Sequence, residues 1–565
     1  MSAPASTSDA SKAEAPDPNI ARAISAMAQA MPDAPAIHFP TSRAPDGTWR
    51  YETTSYAELD RASDEIAAGL HAIGVVPGTR AVLMVKPSMP FFALTFGLFK
   101  AGVVPVIVDP GMGLKNLKVC LAEAEPQAFI GIPTAHAARL ALGWGRGTIE
   151  HCVTVGRRWL WGGFTLDQVR QKGAAAEGWE PPRVKPDDMA AILFTSGSTG
   201  VPKGAVYSHG NFAAQVALIK ATYTIEPGEI DLPTFPLFAL FDPALGMTTV
   251  VPDMDFANPG KVDPRNLIEP IRQMGITNMF GSPAVLNKLG RFGEAEGVRL
   301  PGLKRVISAG APVPAVTLRR VKAMLDGSAQ IFTPYGATES LPVASIGSDM
   351  ILGETAQATD DGKGVCVGYP VEGVEVQVIA ITDDPIATWE DAQVLKPGEI
   401  GEFVVKGPQV TRAYYNRDAS TRGAKIADGQ DVRHRMGDVG YFDDQGRMWF
   451  CGRKTHRVVL NETRTMFTIP VEGIFNTHPA VFRTALVGVK RAGRVVPVLC
   501  VELEAEHQGA VRDKVREELL ALGAKHELTR EIEEVLFHSG FPVDVRHNSK
   551  IFREALTEWA REQLA

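Results

Sequence analysis

Hydrophobic residues along the 565-residue chain change their spacing at intervals, and the changes mark out elements. Leu59, Ala62, Ile66, Leu70 and Ile73 recur every three or four positions, which predicts an amphipathic helix. Ser55-Tyr56-Ala57-Glu58 supplies a capping box at its start, and Gly74 stops it. Pro77-Gly78 then turns the chain into the apolar run 81–85. The longest apolar stretch, 91–108, is broken by Lys100, Gly102 and Pro105, so it predicts a helix followed by a buried strand and no membrane span. The alternation returns at 128–132 and 189–195 and, after a helix opening near Ser208, continues to Ile331. Helix and strand in turn predict an α/β fold with largely parallel strands.

From Gly398 the texture changes to short strands with Gly-rich turns, a small β-rich portion that closes the large domain. The final segment carries strand patterns at 485–489 and 495–501 and two later helical runs, which predicts a small α+β domain. The expected division is a disordered tail over 1–18, rich in Ala, Ser, Pro and Asp, a large domain over 19–452, and a small C-terminal domain over 453–565.

Charge and composition narrow the class. A formal charge of -7 gives no general attraction to polyphosphate, and no basic cluster points to nucleic acid. Five scattered cysteines without CxxC spacing suggest reduced core thiols in a cytoplasmic protein, and the N-terminus lacks the features of a secretory signal.

The chemistry begins at Thr195-Ser196-Gly197-Ser198-Thr199-Gly200-Val201-Pro202-Lys203-Gly204, which follows an apolar strand and is expected to precede a helix. Its glycines can turn backbone N–H groups toward phosphate oxygens, while Ser196, Ser198 and Thr199 add hydroxyls and Lys203 adds charge. It does not match the GxxxxGK[ST] phosphate loop. A flexible Ser/Gly linker would explain the tract alone, but not the preceding strand and the trailing Pro-Lys-Gly. The decapeptide resembles the signature loop of the adenylate-forming superfamily, which includes acyl-CoA synthetases, luciferases and nonribosomal-peptide adenylation domains.

That resemblance runs over nearly the whole chain, in order, from Tyr56 to Lys550. It implies a large AMP-binding domain, a mobile small domain, ATP as substrate, and Mg²⁺. Tyr335-Gly336-Ala337-Thr338-Glu339 resembles the motif in which the tyrosine lies against adenine, the threonine touches the α-phosphate, and the glutamate reaches the metal. Ser308-Ala309-Gly310-Ala311-Pro312 is similar to the segment packed on the adenine face, although a strand-end turn explains it equally well. Asp438, in Gly437-Asp438-Val439-Gly440, and Arg453 fall on the ribose site, with Asp443 and Asp444 read as turn residues. Lys550 falls on the catalytic lysine, with Ser549 in place of the usual glycine. The catalytic set implied is Lys203, Thr338, Glu339 and Lys550.

Three departures bear on the fate of the acyl group. Ala239 stands where many relatives have histidine, His456 stands where they have the hinge aspartate, and 458–465 replaces a glycine-containing loop of the thioester-forming members. With the Arg546-His547-Asn548-Ser549-Lys550-Ile551 ending, these departures resemble the β-lactone synthetases of bacterial long-chain olefin biosynthesis. The implied reaction activates a 2-alkyl-3-hydroxyalkanoic acid as acyl-AMP and closes a β-lactone by attack of the 3-hydroxyl. By analogy Phe238, Ala239, Phe241, Phe280 and Leu341 line an acyl pocket, although core packing explains each of them taken singly. On chemistry alone, His456 and His547 could take the hydroxyl proton. Other olefin-pathway enzymes are the implied partners. A long-chain fatty-acyl-CoA ligase and a non-catalytic nucleotide-binding scaffold are the alternatives.

Overall fold

The computed structural model describes residues 17–108, 112–195, 202–507, 512–543 and 550–565. The helix read from Leu59 to Ile73 spans Tyr56–Ala72, and its capping box forms: Ser55 Oγ accepts from Glu58 N, and the Glu58 carboxylate accepts from Ser55 N. Its apolar stripe, Leu59, Ile66 and Leu70, is buried against the apolar helix Met89–Lys100. Behind them lies a sheet ordered Phe164–Thr165, His151–Thr154, Ala128–Gly131, Arg80–Met84, Val104–Ile107, Met189–Thr195 and Lys203–Ser208. All neighbours in it are parallel except the last pair.

A second sheet runs Gln330–Phe332, Arg305–Ile307, Asn278–Phe280, Ile230–Pro233, Thr248–Val250, Pro35–Arg43 and Trp49–Ser55, parallel apart from its closing hairpin. The parallel strands from Gln330–Phe332 to Thr248–Val250 are three or four residues long and largely buried, as strands joined by βαβ crossovers are. The third sheet is antiparallel throughout and joins Tyr335–Ala337 and Ser340–Ser345 to the long strands Gly401–Lys406, Asp431–Phe442 and Met448–Arg453. This is the β-rich portion expected from Gly398 onward, but its first strands lie some sixty residues earlier in the chain.

After Arg453 come a hairpin, Val458–Asn461 with Arg464–Met466, and a three-stranded sheet of Val481–Arg491, Arg494–Leu503 and Glu534–Phe537. Helices Thr468–Phe475, Arg512–Gly523 and Arg553–Gln563 accompany them. The architecture is mixed α/β, with a large N-terminal and a small C-terminal part. Among the described residues, no helix is long and apolar enough to cross a membrane.

Candidate active site

The signature loop closes a β-hairpin. Thr195 pairs with Lys203 across its mouth, and residues 196–201 lie outside the described residues, so Ser196, Gly197, Ser198, Thr199 and Gly200 are not placed. The helix expected to open near Ser208 spans His209–Tyr223 and is capped by Ser208; between it and the loop lies a strand, Lys203–Ser208, that the sequence pattern does not show. Gly204 permits the close hairpin, because a Cβ there would sit 2.8 Å from Ile192 Cγ2. The hairpin is extended on its open side by the segment around Tyr414: Val206 N donates to Ala413 O at 3.0 Å, and Tyr415 N to Gly204 O at 2.8 Å. Lys203 Nζ lies 5.2 Å from the Tyr414 ring centroid.

Thr338 and Glu339 occupy the tight turn between Tyr335–Ala337 and Ser340–Ser345. Gly336 is needed there, since a Cβ would meet Ser340 O at 2.8 Å. The turn is fixed from several sides. Tyr207 Oη donates to Thr338 O, and Thr411 donates to Glu339 O through both its backbone N (2.9 Å) and Oγ1 (3.2 Å). Tyr414 Oη donates to Glu339 Oε1 at 2.7 Å. Beyond the turn, the cis Leu341-Pro342 peptide is flanked by amide donors, Gln215 Nε2 to Leu341 O and Gln409 Nε2 to Pro342 O, each at 3.1 Å. Among the described residues, Glu339 Oε2 takes no hydrogen bond, and no group of three or more His, Cys, Asp or Glu converges on a metal position. Glu339 thus fits a single protein carboxylate presented to a hard cation that takes its other ligands from phosphate and water.

Asp438 and Arg453 face each other across neighbouring strands. Asp438 is 4 % exposed; its Oδ2 accepts from Tyr335 Oη at 2.7 Å, and Arg453 Nε lies 3.1 Å from Oδ1. That last contact is an ion pair without hydrogen-bond geometry, so Oδ1 has no hydrogen-bond partner among the described residues. Burial raises the carboxyl pKa, opposed by Arg453, by the Tyr335 hydrogen bond and by the charge of Lys550. A buried, orphaned acceptor beside an arginine fits a ligand rich in hydroxyl donors, such as a ribose. Lys550 is exposed, and its effect on Asp438 places it on the same side of the molecule as this pocket. Gly310 has φ +100° after the strand Arg305–Ile307, with Ala311 half-buried and Pro312 exposed beside it.

The acyl-pocket set divides. Phe238 and Phe280 stack with centroids 4.2 Å apart, Phe235 packs on Phe238 at 5.5 Å, and Ala239 is buried at the end of Pro236–Ala239. Phe241 packs against the same cluster as Ala239 but makes no ring contact with Phe238 or Phe280 among the described residues. It opens the next short helix, Phe241–Leu245, and faces Phe212 of the core at 6.4 Å. Leu341 lies over Gly336, where an added Cβ would meet its Cδ1 at 2.8 Å. Asp242, in the second of these helices, and Asp231, in the strand Ile230–Pro233, are buried carboxyls that perturb each other, and Thr249 Oγ1 donates to Asp242 Oδ2 at 3.0 Å. Burial pushes Asp231 up to about 7, and burial with the neighbouring carboxyl pushes Asp242 well above the usual range, so the pair shares a proton at neutral pH.

At the hinge, Lys454 Nζ donates to Glu402 Oε2 (3.1 Å) and Thr382 O (2.9 Å), while Arg457 pairs with Asp383 at 2.9 Å. His456 Nε2 lies 3.3 Å from Glu554 Oε1, and burial followed by the Arg553 charge lowers its pKa to about 4, so the ring is neutral. His547 and Ser549 lie outside the described residues. The segment 458–465 forms a hairpin tied back by Arg464 to Glu531 at 2.8 Å. Tyr414, Thr411, Tyr207 and the Asp231–Asp242 pair escaped the sequence reading: Thr411 and Tyr414 reach Glu339 across 72 and 75 positions and Tyr207 reaches Thr338 across 131, and none of these residues stands in a recognisable spacing.

Comparison with known proteins agrees with this geometry. The family model described as AMP-binding enzyme matches residues 24–415. The chain is 52% identical over 553 residues to the olefin beta-lactone synthetase of Xanthomonas campestris pv. campestris, covering 96% of this chain and 98% of that protein. It is 50% identical over 555 residues to the protein of the same name in Stenotrophomonas maltophilia, covering 97% and 98%. Among solved structures, the amide bond synthetase McbA from Marinactinospora thermotolerans superposes with TM-score 0.78 at 22% identity over 96% of this chain and 100% of that one, which is a likeness of fold. The chain belongs to the AMP-binding enzyme family and, within it, to the group of the olefin beta-lactone synthetases.

Proposed function

We propose that this chain is an AMP-forming ligase that activates a 2-alkyl-3-hydroxyalkanoic acid with ATP and then closes it to a β-lactone. The observation that carries the reading is the buried Asp438 carboxylate held by Tyr335 and facing Arg453, in a chain 52% identical to an olefin beta-lactone synthetase.

In the first step the substrate carboxylate attacks the α-phosphorus and displaces pyrophosphate, giving acyl-AMP. Lys203, Thr338 and Lys550 are the groups assigned to the growing negative charge, which is stabilised best by donors fixed before the reaction. Mg²⁺, held through Glu339, would supply further charge neutralisation at the phosphates. Asp438 takes the ribose hydroxyls on its open Oδ1, Arg453 stands beside it, and Tyr335 and the 310–312 turn border the base. In the second step the 3-hydroxyl attacks the activated carbonyl; the new C–O bond closes the four-membered ring, AMP leaves with the electrons of the broken bond, and the hydroxyl proton is released. The nucleophile is already part of the acyl group, so no second substrate has to reach the site. His456 Nε2 lies 3.3 Å from Glu554 Oε1 without a hydrogen bond, and no contact in the described residues ties it to the acyl-pocket residues. Phe238, Phe280 and Ala239 are assigned to the acyl pocket. A cytoplasmic location and assembly with other olefin-pathway enzymes complete the reading; the five cysteines, all free, fit a reducing compartment.

The test supplies ATP, Mg²⁺ and a racemic 2-alkyl-3-hydroxy acid, with and without CoA, and identifies products by NMR and mass spectrometry. β-Lactone, AMP and pyrophosphate are expected without CoA. A CoA-dependent thioester would make the protein an acyl-CoA ligase, and absence of AMP with every acid would make it a nucleotide-binding scaffold. Lys550→Ala is expected to abolish pyrophosphate release while leaving the melting temperature unchanged, because the side chain is exposed. Unaltered release would remove Lys550 from the first step.

A further inference from the structure

Lysines are rarely buried, and where this fold buries them it usually supplies carboxylates. Lys100, 3 % exposed, lies 2.6 Å from both Asp60 and Asp64, and Lys454 lies 3.1 Å from Glu402. Lys425 differs. It is 7 % exposed at the start of the strand Lys425–Asp428, and among the described residues no carboxylate lies within ion-pair distance of it. Its one hydrogen bond goes from Nζ to Thr411 Oγ1, at 3.2 Å.

Thr411 is the residue that clamps the site turn, with backbone N and Oγ1 both donating to Glu339 O. The threonine hydroxyl spends its proton on Glu339, so it must accept from Lys425, and the donors run in one direction from Lys425 through Thr411 to Glu339. The surroundings add nothing that would otherwise require an amine there. The cross-strand partner is His434, which is neutral because burial and the Lys425, Arg453 and Lys203 charges all lower its pKa, and Tyr414 is occupied with the Glu339 carboxylate. Burial pushes the Lys425 ammonium down to about 7, with Glu339 acting in the opposite sense. An amine so placed costs stability that a single hydrogen bond does not return, and such a cost is commonly accepted at functional sites.

We propose that Lys425 is a positioning residue for the Glu339 carboxylate, acting through the Thr411 hydroxyl to hold the turn in the geometry that accepts a metal–nucleotide complex. The inference rests on the reading of Glu339 as the metal-binding carboxylate. Three features follow from one arrangement: the lysine lacks a counter-ion because its partner is a hydroxyl, the threonine donates twice to one carbonyl, and both lie behind the residue that faces the phosphates.

The experiment measures Mg²⁺-dependent binding of a non-hydrolysable ATP analogue by calorimetry, alongside thermal melting, for Lys425→Met, Lys425→Gln and Glu339→Gln. Methionine keeps the volume and removes the donor, whereas glutamine keeps an N–H. Lys425→Met is expected to melt at or above the parent temperature while its half-saturating Mg²⁺ rises about fivefold, the worth of one hydrogen bond. Lys425→Gln should recover most of that loss. A merely structural lysine would give the reverse, a lower melting temperature with unchanged Mg²⁺ dependence, and would overturn the proposal. Glu339→Gln separates the two levels: if it too binds like the parent, the metal reading fails, and if it alone is impaired, the positioning role fails. Should Lys425→Met not fold, Thr411→Val removes the same relay, and the same Mg²⁺ shift is expected of it.

Discussion

Asp438 lies in a pocket that disfavours its charge, and its neighbours offset this only in part. Burial raises its pKa, and Arg453, the Tyr335 hydroxyl and Lys550 lower it again, leaving Oδ1 as a buried acceptor that no hydrogen bond satisfies. Hydrogen bonds to a charged group are worth about 1.5–3 kcal/mol. Asp438→Asn should therefore raise the apparent KM for ATP roughly tenfold or more, with a smaller effect on kcat, as measured by initial rates of pyrophosphate release. An unchanged KM would take Asp438 out of nucleotide contact. This residue was legible in the sequence because Gly437-Asp438-Val439-Gly440 is contiguous. Tyr414 was not, although it grips Glu339 as firmly as Tyr335 grips Asp438. Its neighbours in space, Ala205 and Glu339, lie 209 and 75 positions away, and only the folding of the sheets brings them together.

At the scale of elements, the short helix Pro236–Ala239 carries Phe238 and Ala239, two of the residues assigned to the acyl pocket, and the next, Phe241–Leu245, carries Asp242 of the Asp231–Asp242 pair. Thr249 links pair and helix, touching Asp242 at 3.0 Å and the Ala239 carbonyl at 3.4 Å. Both carboxyls have raised pKa values, so the folded state binds protons that the unfolded state has released. Stability is complete below the ordinary carboxylate range near 4 and falls as pH climbs through about 7, where Asp231 titrates, and further as Asp242 follows. Asp242→Asn keeps an acceptor for Thr249 and can donate to Asp231, so it should flatten the decline. Its melting temperature should match the parent near pH 4 and exceed it progressively as pH rises to 9; parallel curves would show that the pair is not the source. The 3.6-residue spacing that reveals the Tyr56–Ala72 helix needs several turns to register, and helices of four and five residues offer none. Phe241 was accordingly assigned to the pocket from alignment, whereas the break at Leu240 turns it toward Phe212.

At the scale of the whole molecule, the question is which contacts hold the small C-terminal part on the large one. Two anchors leave the hinge in nearly the same direction but in different dielectric surroundings. Arg457 meets Asp383, which is 72% exposed, in a pair that solvent screens and that is worth about 1 kcal/mol or less. Lys454 meets Glu402, 1% exposed, whose Oε2 also receives Arg435 at 2.6 Å; Arg435 in turn donates to Thr382 O and Asp384 O. Removing that carboxylate leaves two cations facing one another without water, and breaking a buried pair costs about 3–5 kcal/mol. Glu402→Gln should therefore lower the urea midpoint markedly, with the loss persisting at high salt, whereas Asp383→Asn should shift it little and the shift should fade as salt is added. Equal effects from the two would mean that the hinge is held by the geometry of the 382–384 loop and not by the buried charge. The unequal outcome would place the rigid end of the hinge at Glu402, next to the Asp438–Arg453 pair, so that movement of the C-terminal part begins after Lys454 and leaves the ribose site undisturbed.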